Sequence, residues 1–152
     1  MHRWLLPSWE RLAAASEADG VGFFGQLRTG GEVAFPSDLE PRVAEAAAER
    51  GWLLAYLNVR FVEASPAGGP LYANLVLVTS RAAARALEDD AAHDEAVTRA
   101  AATYESIRIH RLAVDGSPTS RPPLRIRETL YIDYGSSPPR RAVRALDQRA
   151  LS

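Results

Sequence analysis

Apolar positions recur along this chain with two different periods, and the change from one period to the other marks the predicted elements. Runs rich in Val, Leu, Ile and aromatic residues predict strands over residues 21–28, 52–64, 71–79, 106–114 and 124–134. Apolar residues spaced by three or four positions predict a first helix that Ser37 or Asp38 caps and that runs to about residue 50, and a second over residues 81–104. A turn at residues 29–31 and a return strand at 32–35 are expected after the first strand.

The second long helix carries signals of its own start and of an interruption. Ser80 is placed to cap its first turn, because a hydroxyl can accept from backbone N–H groups that have no partner within the helix. Asp89 and Asp90 have poor propensity for a helix interior and predict a kink, or two abutting helices, near residues 87–92. Beyond this break, the spacing of His93, Val97, Ala100 and Tyr104 predicts one inward-facing stripe.

The strand over residues 52–64 holds the best candidates for a polar pocket. Alternation puts Leu53, Ala55, Leu57, Val59 and Phe61 on one apolar face and puts Leu54, Tyr56, Asn58, Arg60 and Val62 on a mixed face. The mixed face either lines a pocket or faces water. The Pro- and Gly-rich residues 65–70 predict an antiparallel hairpin, whose register decides whether Tyr72 and Asn74 share the face of Asn58 or that of Phe61.

Composition narrows the function classes. The net charge of −1 gives no electrostatic reason to expect nucleic acid or an anionic membrane as a partner. With no cysteine, disulfides, thiolate nucleophiles and Cys-ligated metals are excluded, so chemistry would come from His, acids, Tyr, Arg or a cofactor. No segment approaches about 20 uninterrupted apolar residues, and a cytoplasmic protein is expected.

The chain is predicted to have three parts. An N-terminal helical arm covers residues 1–20, with a helix over 9–18, and a single α+β domain covers residues 21–134. Residues 135–152 form a Pro- and Arg-rich tail whose residues 142–151 are predicted to be a short helix. Within the domain, the order strand, helix, strand, strand, helix, strand predicts a ferredoxin-like antiparallel sheet.

Residues 75–112 resemble the second half of the dimeric α+β barrel family, in particular its antibiotic-biosynthesis-monooxygenase-like members. The matching positions are His93 and Ala96 on the helix and the aromatic Tyr104 before the last strand. Thr79 and Ser80 stand where members commonly have Trp followed by an acidic residue or Ser. The resemblance implies a homodimer whose two sheets pack face to face, with helices on one face of each sheet and a ligand cavity between each sheet and its own helices.

For function, the resemblance implies a small enzyme acting on a hydrophobic, aromatic or polyketide-like substrate by cofactor-independent oxygenation or related proton transfer. His93 and Arg60 are then the catalytic candidates, and the substrate-binding candidates are Tyr56, Asn58, Tyr72, Asn74, Tyr104 and His110. One alternative is haem binding with His93 or His110 as axial ligand. Another is a non-catalytic ligand-binding module, in which His93 is a core histidine and cross-strand packing accounts for His110.

Overall fold

Seven strands form one antiparallel sheet in the computed structural model, which describes residues 2–28, 39–64, 70–115 and 125–145. The strands are β1 (His2–Leu5), β2 (Glu17–Leu27), β3 (Leu53–Ala64), β4 (Pro70–Val78), β5 (Tyr104–Asp115), β6 (Arg125–Asp133) and β7 (Arg140–Ala145). The helices within the same ranges are α1 (Trp9–Ala14), α2 (Leu39–Glu49), α3 (Arg81–Glu88) and α4 (Ala91–Thr103). The α+β class expected from the alternation of periods is therefore confirmed.

The strand order in space is β1-β3-β4-β2-β5-β6-β7. Its four central strands, with α2 following β2 and with α3 and α4 following β4, have the order of a ferredoxin-like sheet. The predicted antiparallel hairpin between β3 and β4 is confirmed. The added strands β1, β6 and β7 widen this sheet on both sides.

The predicted break in the second helical region is confirmed, since α3 ends at Glu88 and α4 begins at Ala91. Ser80 caps α3, its hydroxyl oxygen accepting from the backbone N–H of Ala83 at 3.2 Å. Asp90 caps α4 through the N–H of Ala92 at 3.0 Å. Each cap satisfies a backbone donor that has no partner within its helix.

Different helices pack on the two faces of the sheet. On one face, which we call the helix-covered face, the alanines of α2, α3 and α4 pack on buried strand residues that include Leu53, Tyr56, Tyr72, Val78 and Ile107. On the other face, Leu12 of α1 packs at one end against Ala18, Leu54, Leu77 and Val114. In the described part of the chain, this second face is exposed beyond α1 at Phe24, Leu71 and Ile126, and we call it the open face.

Several expectations at the ends of the chain are wrong. The predicted arm contributes strand β1, which pairs with β3, and β2 begins at Glu17 inside it. In the tail, Arg140–Ala145 form strand β7 on the edge of β6, so the predicted helix does not begin at residue 142. An edge strand can form here because β6 offers a free line of backbone groups for pairing.

The predicted return strand at 32–35 and the cap at Ser37 or Asp38 lie outside the described residues. None of the helices in the described ranges is long and apolar enough to cross a lipid bilayer.

Candidate functional site

Two tyrosines and two asparagines form a hydrogen-bonded cluster on the helix-covered face, which we call the tyrosine–asparagine cluster; its members are Tyr56, Asn58, Tyr72 and Asn74. Asn58 donates through Nδ2 to the hydroxyl oxygens of Tyr56 at 3.0 Å and Tyr72 at 2.5 Å. Asn74 donates to the same Tyr72 hydroxyl over a longer distance of 3.4 Å. Both tyrosines are only 1% exposed. The cluster therefore places amide and phenol groups inside an otherwise apolar layer between sheet and helices.

The register of β3 against β4 brings these side chains together. Asn58 lies opposite Asn74, and Arg60 lies opposite Tyr72, so Tyr72 and Asn74 share the face of Asn58. The side chain of Arg60 lies outside the described residues. The predicted alternation is wrong at the start of β3, where the register shifts between Leu53 and Ala55. Leu53 packs with Tyr56, while Leu54 and Ala55 pack on the opposite face. A bulge of this kind shifts the alternation of every earlier residue of a strand.

Tyr104 packs among the buried apolar residues of the same layer. Its ring is 5% exposed and meets Phe23 edge-on, with 5.3 Å between ring centroids. Gly25 makes room for it, since a Cβ at residue 25 would come within 2.4 Å of a Tyr104 ring carbon. Phe23 also contacts Tyr72, at 6.0 Å between centroids. Tyr104 is thereby linked to the tyrosine–asparagine cluster through one phenylalanine.

His93 lies in the first turns of α4 and is half-buried. Its Nδ1 is buried and has no hydrogen-bond partner among the described residues. The stripe proposed for it is wrong at Val97, which is 58% exposed, because α4 buries Ala92, Ala100 and Thr103 instead. His93 therefore stands at the edge of the buried stripe. No hydrogen bond within the described ranges joins it to Tyr56, Asn58 or Tyr72.

His110 lies on the opposite face from this cluster. Its Nδ1 is 2.8 Å from the hydroxyl oxygen of Thr129, and its ring meets Phe24 edge-on at 5.4 Å. Burial lowers the pKa of His110 below its ordinary value of 6.5, and the nearby Arg108 lowers it further. The sequence candidates are thus divided by the sheet: Tyr56, Asn58, Tyr72, Asn74 and Tyr104 lie together, and His110 lies behind them.

A second polar region was not anticipated from the sequence. A cleft of about 370 Å³ lies between α3 and strands β2, β5 and β6. Its lining comprises four arginines together with Asp19, Glu128, Gly20, Val21 and Ala84. We call it the arginine cleft; its arginines are Arg81, Arg85, Arg111 and Arg127. The one signal available beforehand was the spacing of Arg81 and Arg85, which places both on one side of a helix. The strands that complete the cleft are far from α3 in sequence.

The residues described do not single out a cofactor. The lining of the arginine cleft includes no histidine, so this cleft does not fit a haem with an axial histidine. No group of three or more His, Asp or Glu residues suited to a metal ion occurs in the part of the chain that the structure describes.

Comparison of the chain with family models, curated proteins and solved structures found no match. The resemblance to the antibiotic-biosynthesis-monooxygenase-like proteins therefore stays a hypothesis that depends on His93, Ala96, Tyr104 and the order of the elements.

Proposed function

We propose that this protein binds a small hydrophobic, aromatic or polyketide-like molecule on the helix-covered face and acts on it by proton transfer, leading to cofactor-independent oxygenation. The observation that carries the proposal is the buried Nδ1 of His93, which has no partner among the described residues. Buried polar atoms in proteins are nearly always paired, and an unpaired one beside a core is a candidate ligand contact. Imidazole is also the side chain best suited to exchange a proton near neutral pH.

The proposed chemistry begins when His93 removes a proton from a phenol or an activated C–H group of the substrate. The resulting electron-rich anion reduces dioxygen, which is the oxidant. One oxygen atom enters the substrate as a new carbonyl, and the other leaves as water with the two hydrogens that the substrate has lost. Arg60 is the proposed partner for the anion, because a guanidinium stabilises developing negative charge.

The tyrosine–asparagine cluster supplies the proposed polar anchors. Tyr56, Asn58, Tyr72 and Asn74 are held by hydrogen bonds to one another, so their polar atoms are fixed before a ligand arrives. The rings of Phe23 and Tyr104 supply flat apolar surface next to them. This combination of apolar walls with a few placed polar groups suits an aromatic ligand with hydroxyl or carbonyl substituents.

Dimerisation is part of the proposal, and the open face supports it. Phe24 is 48% exposed, and Leu71 and Ile126 are each 38% exposed on this face. The half-buried Leu57, Val59 and Leu75 lie on the same face of the sheet. Large exposed apolar patches usually mark an interface. A second copy of this chain, packed sheet to sheet, would cover the patch in the way that the resemblance implies.

Light scattering tests the dimer. The wild-type protein should give about twice the chain mass of 16.6 kDa. Phe24→Glu should give the monomer mass, because it brings like charges together in a desolvated interface. Val97→Glu is the matched control, since Val97 is an exposed apolar residue of α4 and not of the open face. A wild-type protein that is monomeric at micromolar concentration would exclude the barrel.

Turnover and binding test the role of His93. With 1-naphthol, a polycyclic phenol, the wild-type protein should show turnover as oxygen uptake and binding in a fluorescence titration. His93→Gln should lose oxygen uptake about a hundredfold while still binding, because removing a general base typically costs that much or more. His110→Gln is the matched control on the other face and should keep uptake. Binding without uptake in the wild-type protein would favour the non-catalytic module, and a Soret band in the purified protein would favour haem.

A further inference from the structure

The arginine cleft contains more positive than negative charge, and its charges fall into two sets. Asp19 is 7% exposed and pairs with Arg127, which also donates to the carbonyl oxygen of Leu112 at 3.2 Å. Asp19 accepts at its other carboxylate oxygen from the N–H of Gly20 at 3.0 Å. Both oxygens of this carboxylate are therefore engaged by groups of the protein.

The remaining acids of this region are engaged by one arginine. Arg111 lies 2.5 Å from a carboxylate oxygen of Glu88 and 3.4 Å from one of Glu128. Arg81 and Arg85 have no carboxylate partner in the described residues, and the first turn of α3 contains no acidic residue. Counting Glu88 beside the cleft, four guanidinium groups stand against three carboxylates, a net charge of +1. The two guanidinium groups without a carboxylate partner in the described residues are those of Arg81 and Arg85.

These two arginines are placed to act together. They are four residues apart on α3, which puts them on the same side of the helix, and both line the cleft. A guanidinium presents a planar fork of donors that matches a carboxylate or a phosphate, so two forks facing one volume suit one oxyanion. Val21 and Ala84 add apolar surface to the same cleft, whose volume of about 370 Å³ holds a small organic molecule.

We propose that the arginine cleft is a binding site for a small organic anion, whose carboxylate or phosphate group is held by Arg81 and Arg85. The paired Asp19 and Arg127 form a fixed wall of the site and do not compete for the ligand. The site is separate from His93 and from the tyrosine–asparagine cluster, and its existence does not depend on the function proposed for them.

Calorimetric titration at low salt tests the site, with inorganic phosphate and succinate as probes. The wild-type protein should bind at least one of them saturably. The double variant Arg81→Gln/Arg85→Gln should bind about tenfold or more weakly, because each charge-assisted hydrogen bond to an anion contributes strongly to affinity. Binding of phosphate alone identifies a phosphate ligand, and binding of succinate alone identifies a carboxylate. Failure of both probes to bind the wild-type protein overturns the proposal.

Two further variants distinguish anion binding at a specific site from unspecific attraction to positive charge. Arg140→Gln/Arg144→Gln removes two exposed arginines from β7 and should bind as the wild type does. Equal weakening in this control would mean unspecific attraction and would also overturn the proposal. Arg81→Lys/Arg85→Lys keeps the charge and loses the planar fork, so it should bind with intermediate affinity. His93→Gln should bind the anion normally, which keeps this test independent of the catalytic proposal.

Discussion

The two faces of the sheet are made by the same strands, yet they are completed in different ways. On the helix-covered face, Tyr56 and Tyr72 are almost fully buried and share the amide of Asn58. On the open face, Phe24 and Leu71 remain exposed to solvent. Helices of the same chain pack on the first face, so the side chains buried there contribute to stability as core residues do. The open face has apolar surface that the described part of the chain does not cover, so its energetics should depend on association.

The largest effect should come from deleting a ring in the helix-covered layer. Tyr72→Ala should lower the free energy of unfolding by about 3–5 kcal/mol, because it leaves a cavity and removes one of the two hydroxyl groups to which Asn58 donates. Leu71→Ala, the next residue but on the open face, should cost less than about 1.5 kcal/mol, since Leu71 is already 38% exposed. Chemical denaturation in dilute solution measures both. Equal losses would mean that the two faces do not differ as described.

A smaller effect is expected from the ion pair at the rim of the helix-covered face. Asp19→Asn should cost about 2–3 kcal/mol, because it leaves Arg127 without its charge partner in a partly buried position. The cost stays below that of a fully buried pair, since the Arg127 side chain is 36% exposed. Glu95→Gln is the control; its contacts with Arg42 and Arg99 lie at the surface, and about 0.5 kcal/mol is expected. Thermal denaturation at one pH compares the two variants.

The junction of α3 and α4 above the helix-covered face gives a third test. Asp90→Ala should cost about 1 kcal/mol by removing the N-cap of α4. The hydrogen bond from the N–H of Ala92 holds the pKa of Asp90 below 3.8, and Arg50 lowers it further. The folded protein thus favours the carboxylate, so this stabilisation is present above pH 3.8 and is lost as the pH falls through the lowered pKa. Asp90→Asn should keep most of the cap and lose this dependence on pH in acid denaturation.

The smallest effect should come from His110 on the open face. Because burial lowers its pKa below 6.5, the unfolded chain binds the proton more readily than the folded protein does. Its contribution to stability is therefore complete above pH 6.5 and declines as the pH falls through the lowered pKa. His110→Gln should make the unfolding free energy fall less steeply from about pH 7 to about pH 5. Identical slopes would show that His110 is solvated like a surface residue.

Much of the local structure could be predicted, because its causes lie within a few residues. The cap at Ser80, the break before Ala91 and the hairpin of β3 and β4 depend on short-range hydrogen bonds and on local propensity. Alternation on β3 correctly grouped Tyr56 with Asn58, which are two residues apart. These features needed no knowledge of what packs on them.

The tertiary structure decided what depends on distant parts of the chain. The bulge beside Leu53 moved Leu54 to the other face, and pairing with β6 turned an expected helix into β7. Asp19 and Arg127 meet across 108 positions, and α3 joins them to form the arginine cleft. Register and helix placement follow from the total burial of the sheet, and no window of neighbouring residues contains that information. The sequence by itself determined the elements and their order, while packing determined which side chains meet.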